Sequence, residues 1–205
     1  MSIYLLKPKF QALLRPIVQT LAAKNITANQ ITLLACAASI IVGLILAVCI
    51  SQQAWLGLLL LPLFLFIRMA MNAVDGMLAR EHQQQSALGG YLNELTDVIS
   101  DSALYLPLIL LPHTHAWLVY LLVFQAALTE FAGVLGQVHG NSRRYDGPMG
   151  KSDRAFTIGL LAIVGFSFPH TLAYQNIAFI LINLALAYTI YRRIHNGLPQ
   201  TQEST

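Results

Sequence analysis

The sequence predicts an all-α membrane protein with six transmembrane helices and an N-terminal amphipathic interfacial helix. Hydrophobic residues make up 56% of the 205 residues and charged residues only 10%, whereas a soluble domain carries about 25% charged residues. A transmembrane helix needs about 20 apolar residues, and six stretches of this chain reach or approach that length. We place these spans near residues 31–50, 55–73, 95–112, 116–136, 155–170 and 172–192.

Residues 1–24 precede the first span and predict an amphipathic juxtamembrane helix. Its apolar residues recur every three or four positions, at Leu6, Phe10, Leu13, Leu14, Ile17, Val18 and Leu21. Such a helix fits either the cytoplasmic membrane interface or a position packed on the bundle. Pro16 lies within it and is expected to kink it.

The third and fifth predicted spans are short. The third carries Asp97 and Asp101 near its start, so we expect it to begin inside the protein rather than in lipid. The remaining chain predicts one membrane domain of six helices over residues 25–196. The polar segment 197–205 is expected to be a disordered tail.

The basic residues indicate how the chain is oriented. All twelve Lys and Arg residues lie before span one, near or after the end of span two, between spans four and five, or after span six. The turns on the other side, at 51–54, 113–115 and 169–171, carry no formally charged residue. The positive-inside rule therefore places both termini and residues 74–92 in the cytoplasm. Contact with anionic lipid headgroups accounts for the basic character, and we expect no nucleic-acid partner.

Polar residues are concentrated where span two leads into span three. At 100° per residue, one face of the helix leaving span two carries Asn72, Asp75, Gly76, Ala79 and Arg80. Asn93, Asp97 and Asp101 follow at steps of four residues, and Glu94 joins the same broad face. A charged residue at the centre of a membrane helix costs roughly 2.5–3.5 kcal/mol, so such residues usually mark a function.

This pattern suits a metal and phosphate site. Hard divalent cations such as Mg²⁺ take oxygen ligands, and substrate phosphates commonly supply some of these ligands. Two helices could aim carboxylate and amide oxygens at one point, with Gly89 permitting close approach of the helix backbones. Gly76 and Ala79 leave room for a phosphorylated ligand, and Arg80 can neutralise a phosphate.

The motif also carries a family resemblance. The segment from Asp75 to Asp97 reads Asp-Gly-x2-Ala-Arg-x8-Gly-x3-Asn-x3-Asp, which is very similar to the signature of the CDP-alcohol phosphatidyltransferases. The resemblance implies six membrane helices with the motif across the cytoplasmic ends of helices two and three. It also implies two metal ions that hold a CDP diphosphate while an acceptor hydroxyl attacks the β-phosphoryl group and CMP leaves.

The resemblance assigns roles by position. It implies metal binding by Asp75 and by Asn72 and Asn93 in place of Asp, and a metal-binding or catalytic role for Asp97. Outside the signature, we predict metal binding by Glu94 and a catalytic role for Asp101, since both acids lie on the same stretch of helix. Nucleotide, phosphate or acceptor contacts are implied for Asn29, Thr32, Gly76, Ala79, Arg80, Gly89, Lys151 and Arg154. Among these, Asn29 and Thr32 resemble a segment that opens the family's first span, with Ala28 in place of its Pro. Lys151 and Arg154 equally fit ordinary positive-inside charge.

Two departures affect the metal site. Asn72 and Asn93 stand where the family has Asp, so the four motif positions carry a charge of −2 instead of −4. Glu94 and Asp101 could restore charge, the site could keep one metal, or the chain could bind CDP-linked lipid without catalysis.

Two further charges fall within predicted spans. Arg68 lies in span two and Glu130 in span four, and we predict that they pair as a structural lock. The alternative places one of them in the acceptor pocket.

The sequence thus predicts a magnesium- or manganese-dependent phosphatidyltransferase of phospholipid synthesis in a bacterial inner membrane. Its expected partners are CDP-diacylglycerol or a related CDP-alcohol, a small hydroxyl acceptor, the lipid bilayer and a second copy in a homodimer. Rival classes are an intramembrane prenyltransferase, which would carry two separated acidic motifs, and a cation transporter, which commonly shows repeated or broken helices. A non-catalytic relative that binds CDP-lipid is a third.

Overall fold

The structure is a computed structural model that describes residues 7–139 and 142–198. Over these residues the chain is helical and contains no strand, which confirms the predicted all-α class. Its α-helices are α1 Lys7–Ala23, α2 Ala28–Ser51, α3 Leu60–Glu81, α4 Ala87–Tyr105, α5 Ala116–Val138, α6 Lys151–Ser167 and α7 Gln175–Gly197. Short 3₁₀ segments precede α3 and α7 and continue α4, at Trp55–Leu59, Pro169–Tyr174 and Leu106–Leu110.

Four helical segments in the described ranges are long and apolar enough to cross a membrane: Ala28–Ser51, Trp55–Glu81, Ala116–Val138 and Pro169–Gly197. They confirm that the chain is of the membrane class. α4 is not among them because three acids interrupt its 19 residues, and α6 is only 17 residues long. These are the two spans that the sequence marks as short. The count of six crossings therefore stays a prediction.

The helices pack around one main apolar core. α2 packs against α3 and α4, α5 packs against α7, and α3 also contacts α6. Leu46, Leu61, Leu122 and Phe179 are buried at its centre, and large apolar side chains such as Leu44 and Phe124 remain exposed. Gly43 lets α2 meet α4 closely, because a Cβ there would lie 2.1 Å from the carbonyl oxygen of Ala103.

α1 packs on α3 through one face only. Leu14 and Val18 are buried in a second apolar cluster with residues of α2 and α3, whereas Leu13 and Ile17 are exposed. The helix continues through Pro16, and its Arg15 pairs with Glu81 at the end of α3. Residues 1–6 and the greater part of the predicted tail, 199–205, lie outside the described residues.

Candidate active site

The predicted site residues lie at the end of the bundle where α2, α4 and α6 begin and where α3 and α5 end. Side-chain caps fix the first turns of two of these helices. Thr27 accepts a hydrogen bond from the backbone N–H of Gln30, and Ser86 accepts one of 3.0 Å from the N–H of Gly89. α6 begins directly after Gly150, whose N–H donates to Asp153 at 3.2 Å. Local hydrogen bonds therefore hold the first turns of α2, α4 and α6 in place.

Asp75 lies on the inner face of α3 with only 5% of its surface exposed. Its Oδ2 accepts a 2.8 Å hydrogen bond from the hydroxyl of Thr32 on α2. Asp75 is close enough to Asp97 and Lys151 to interact with both electrostatically. Among the residues that the structure describes, however, no basic side chain forms an ion pair with it. It is a buried carboxylate with free coordinating capacity.

Asp97 on α4 faces α3 and α6 and is also buried. Its Oδ1 accepts hydrogen bonds of 3.0 Å from Arg68 and 3.2 Å from Asn72. Its Oδ2 is paired with the ammonium group of Lys151, the first residue of α6. The structure thus brings Arg68, Asn72 and Lys151 together around the carboxylate of Asp97.

Asp101 lies one turn further along α4 and is engaged on both oxygens. Arg68 donates to its Oδ1 at 2.6 Å, and Arg154 donates to its Oδ2 at 2.8 Å. The predicted pairing of Arg68 with Glu130 is therefore wrong. Arg68 points from α3 toward α4, whereas Glu130 on α5 contacts Arg154 of α6.

Glu130 on α5 interacts with three arginines. It accepts hydrogen bonds from Arg154 at 3.0 Å and Arg143 at 3.1 Å, and Arg193 lies 3.7 Å away. Arg143 binds both oxygens of Glu94 as well. We call this set the ion-pair network; its members are Arg68, Glu94, Asp97, Asp101, Glu130, Arg143, Lys151, Arg154 and Arg193.

Arg143 and Arg193 are site residues that the sequence analysis missed. Partial burial disfavours the charge of Arg143, but Glu94, with Tyr145 and Glu130, outweighs that effect and raises the pKa of this guanidinium. Arg193 is 2% exposed and donates to the backbone carbonyl of Thr129. One signal was present: Arg193 is four residues after Thr189 and seven after Leu186, both on the buried face of α7.

The loop that carries Arg143 is anchored on α5 and α7. The N–H of Arg144 donates to the carbonyl of Gly133 at 3.0 Å, and the N–H of Met149 donates to the hydroxyl of Thr189 at 3.0 Å. Gly147 has a positive φ of 101°, and a Cβ there would lie 2.7 Å from Thr189. The backbone that follows Arg143 is therefore held against α5 and α7.

The glycines of the motif lie against polar side chains. A Cβ on Gly76 would be 3.1 Å from the guanidinium of Arg80, which is one turn further along α3. A Cβ on Gly89 would be 2.9 Å from Oδ1 of Asn29. Asn93, which also belongs to the motif, donates a hydrogen bond of 3.2 Å to its neighbour Glu94.

The oxygen donors at this end suit a hard divalent cation. Asp75 supplies a carboxylate that forms no ion pair with any described residue. Asn72 precedes it by three residues on α3 and donates a hydrogen bond to Asp97 of α4. Over the described ranges, no three side chains of His, Cys, Asp or Glu converge into a metal-binding group. At positions 72 and 93 the chain has amides, whose oxygens can coordinate Mg²⁺ but bring no charge.

Fold and site together define a helical membrane protein with buried carboxylates and amides at one end of its bundle. The sequence profile of the CDP-alcohol phosphatidyltransferases matches residues 25–191, and the chain belongs to this enzyme family. Membership decides against the prenyltransferase and transporter alternatives.

Two relatives are similar in sequence. A protein of Escherichia coli (strain K12) named Inner membrane protein YnbA is 45% identical over 203 residues, which cover 99% of this chain and 100% of that protein. Archaetidylinositol phosphate synthase of Pyrococcus horikoshii is 31% identical over 100 residues, 48% of this chain and 49% of that enzyme.

The fold resembles that of a solved enzyme. The Mycobacterium tuberculosis phosphatidylinositol phosphate synthase PgsA1 with CDP-DAG bound superposes with a TM-score of 0.72 at 19% identity, covering 89% of this chain and 92% of that chain. The same enzyme with manganese and citrate also gives a TM-score of 0.72, at 20% identity, covering 89% and 87%.

Proposed function

We propose that this protein transfers a phosphatidyl group from a CDP-alcohol, with CDP-diacylglycerol as the favoured donor, to the hydroxyl of a small acceptor and releases CMP. The observation that carries the proposal is Asp75, a buried carboxylate of the family motif without a basic partner in the described chain. A structural neighbour that binds CDP-DAG supports the choice of donor, and a manganese-bound form of it supports a divalent cation.

Residues of α3 and α4 would hold the cation and the nucleotide. Asp75, Asn72 and Asp97 are the proposed oxygen ligands, with Asn93 at the mouth of the site. A bound Mg²⁺ or Mn²⁺ would neutralise charge that develops on the diphosphate. The donor's nucleotide and phosphates would lie along a second set of residues: Gly76, Ala79, Arg80, Gly89, Asn29 and Thr32.

The transfer step has a defined balance. The acceptor oxygen forms a bond to the β-phosphorus of the CDP-alcohol, and the bond from that phosphorus to the bridging oxygen breaks. CMP leaves with the bonding electrons and the bridging oxygen. Asp97 is the proposed acceptor of the hydroxyl proton, through its Oδ2, once Lys151 releases that oxygen. Holding the acceptor hydroxyl in line with the diphosphate, rather than covalent chemistry by the protein, supplies much of the catalysis in phosphoryl transfer.

Two residues change their proposed roles. The sequence analysis assigns Asp101 to catalysis and Glu94 to metal binding, but the oxygens of both are held by arginines. We propose that they are positioning residues instead. Asp101 would orient Arg68 against Asp97, and Glu94 would hold Arg143 at the opening of the site. Arg143 and Lys151 are the proposed contacts for the acceptor.

The proposal includes the membrane arrangement. α2 to α7 would cross the bilayer six times, with 25–196 as the catalytic domain and both termini in the cytoplasm of a bacterial inner membrane. α1 would lie in the interface, since Leu13 and Ile17 are exposed on its outer side. The expected homodimer rests on the family resemblance alone.

One alternative has a specific observation in its favour. Asn72 and Asn93 reduce the charge of the motif, and Asp97 is paired with two basic side chains. A protein that binds CDP-lipid without turnover would show the same features. Catalysis is the better proposal because Lys151 is partly exposed and can leave Asp97 when an anionic substrate enters.

CMP release tests the proposal. Purified protein in detergent with Mn²⁺ or Mg²⁺ would be given CDP-diacylglycerol and, in turn, glycerol, glycerol 3-phosphate, inositol and serine. We expect CMP with at least one acceptor, and loss of that activity in Asp97→Asn but not in Gln52→Glu, a charge change at the far end of α2. Tight binding of CDP-diacylglycerol without CMP from any acceptor would support the non-catalytic alternative.

A further inference from the structure

The motif of this chain carries too little negative charge for two divalent cations. Of its four positions, only Asp75 and Asp97 are acids, and Asn72 and Asn93 are neutral. A pair of divalent cations brings four positive charges into a site from which water is largely excluded. Buried charge of this size must be matched by fixed charges of opposite sign.

Neighbouring acids do not make up the difference. Glu94 is bound through both oxygens by Arg143. Asp101 is bound by Arg68 on one oxygen and by Arg154 on the other. Each of these carboxylates already has a cation, so neither is free to coordinate a metal ion.

Asp97 is itself partly neutralised by a fixed guanidinium. Arg68 donates to its Oδ1 at 3.0 Å and to its backbone carbonyl at 3.2 Å, while its other nitrogen is held by Asp101. The side chain of Arg68 is 4% exposed. The Lys151 side chain, on the other oxygen, is 28% exposed and can move away.

The charges at this end leave no compensation for a second metal. The ion-pair network holds five bases and four acids. Asp75 adds one acid and Arg80, the proposed phosphate contact, adds one base, so the net charge is +1. A CDP-alcohol diphosphate adds about two negative charges and one divalent cation adds two positive charges. A second cation would raise the uncompensated charge from +1 to +3.

We propose that the site binds one divalent cation rather than a metal pair, with the guanidinium of Arg68 in the electrostatic place of the second. The single cation would be held by Asp75 and Asp97, once Lys151 has moved away from Asp97. This inference rests on the proposed function, because it specifies the metal content of that same site.

Manganese provides a direct count. The full chain in detergent would be titrated with Mn²⁺ in the presence of CDP, and the bound metal measured by equilibrium dialysis and electron paramagnetic resonance. Two Mn²⁺ ions about 3.5–4 Å apart, as in two-metal sites, give a spin-coupled spectrum. One ion gives an isolated six-line spectrum. We expect one Mn²⁺ per chain and the isolated spectrum.

Paired variants link the count to the two amides. Asn72→Asp with Asn93→Asp restores two charges at the motif and should raise the content to two ions with a coupled spectrum. Gln52→Glu with Gln53→Glu adds the same charge in the turn after α2, at the other end of the bundle, and should leave one ion. A content that stays at one in the motif variant would overturn the link to the amides.

A third variant isolates Arg68. Arg68→Gln removes a competing donor from Asp97 and should tighten Mn²⁺ binding about tenfold, close to 1.4 kcal/mol; Arg68→Lys should retain the wild-type affinity. Unchanged or weaker binding in a correctly folded Arg68→Gln protein would overturn the part given to Arg68.

The number of Mn²⁺ ions bound by the wild-type protein distinguishes failure of this inference from failure of the proposed function. Two coupled ions with continued CMP release would overturn this inference and leave the proposed function standing. No bound Mn²⁺ would overturn the inference, and absence of CMP in the same preparation would overturn the proposed function too.

Discussion

Asp101 of α4 is clamped between two arginines of other helices, with Arg68 Nη1 at 2.6 Å and Arg154 Nη2 at 2.8 Å. The three side chains are all nearly inaccessible. One carboxylate therefore ties α3 and α6 to α4 directly beneath the site. In a buried set of this kind, loss of one member leaves the others without compensation.

Asp101→Asn should destabilise the fold. Both arginines would lose their shared counter-ion, and removal of one partner from a buried ion pair typically costs about 3–5 kcal/mol. Thermal unfolding in detergent measures the effect, with Asp153→Asn, the acid in the first turn of α6, as the control. An unfolding temperature equal to that of wild type would show that the clamp contributes little.

Asp75→Asn, unlike Asp101→Asn, should keep the stability of the fold and lose metal binding. Asp75 is buried and forms no ion pair with any residue that the structure describes, and removal of such a buried charge leaves stability unchanged or higher. The asparagine oxygen can still accept the hydrogen bond from Thr32. We expect Mn²⁺ affinity to fall by at least the roughly 10–100-fold that loss of an outer-shell partner costs, and CMP release to fall with it.

Calorimetric titration and thermal unfolding on the same preparation check this prediction. Stability lost together with metal binding would contradict it, because that result would make Asp75 a structural residue like Asp101.

The sequence predicted the all-α membrane class and the approximate positions of the helices because these depend on composition and on the length of apolar stretches. Helical periodicity correctly placed Asp97 and Asp101 on one stripe of α4, where both accept hydrogen bonds from Arg68. Such relationships are local, so no knowledge of the partners across the bundle is needed.

Pairings between helices could not be predicted in the same way. The sequence favours a pair between Arg68 and Glu130 because both are charged residues within apolar spans. The rotation of each helix about its axis, however, decides which neighbouring helix a side chain faces. Arg68 faces α4, and Glu130 faces α6, α7 and the loop with Arg143. Arg193 was missed for a related reason: its spacing from Leu186 and Thr189 marks it as buried only once the packing of α7 shows which face is covered.

Lys151→Gln should strengthen metal binding and weaken substrate use. The ammonium group of Lys151 is paired with Asp97 Oδ2, so it competes with a cation for that oxygen. Its removal should tighten Mn²⁺ binding in the absence of nucleotide by about tenfold, equivalent to roughly 1.4 kcal/mol. If Lys151 then contacts the acceptor, as proposed, KM for that acceptor should rise.

The two readouts for Lys151 are independent. Lys151→Arg serves as the matched control, since it keeps the positive charge at the first position of α6. Weaker Mn²⁺ binding in Lys151→Gln would mean that the lysine does not compete at Asp97.

Gly89 and Gly90 offer a matched pair at the start of α4. A Cβ on Gly89 would lie 2.9 Å from Oδ1 of Asn29, whereas a Cβ on Gly90 would meet nothing within 4 Å. The short side chain of Asn29 can shift, so Gly89→Ala should leave stability nearly unchanged but displace a proposed nucleotide contact. Loss of one neutral hydrogen bond, roughly 0.5–1.5 kcal/mol, predicts a rise in KM for the CDP-alcohol of about two- to tenfold.

Gly90→Ala should leave KM unchanged and raise stability by roughly 0.5–1 kcal/mol, because alanine loses less backbone entropy in a helix. Steady-state CMP release and thermal unfolding of both variants measure these effects. Equal KM values in the two variants would show that Asn29 does not contribute to binding of the CDP-alcohol. A raised KM in Gly89→Ala alone would place the CDP-alcohol where the first turns of α2 and α4 meet.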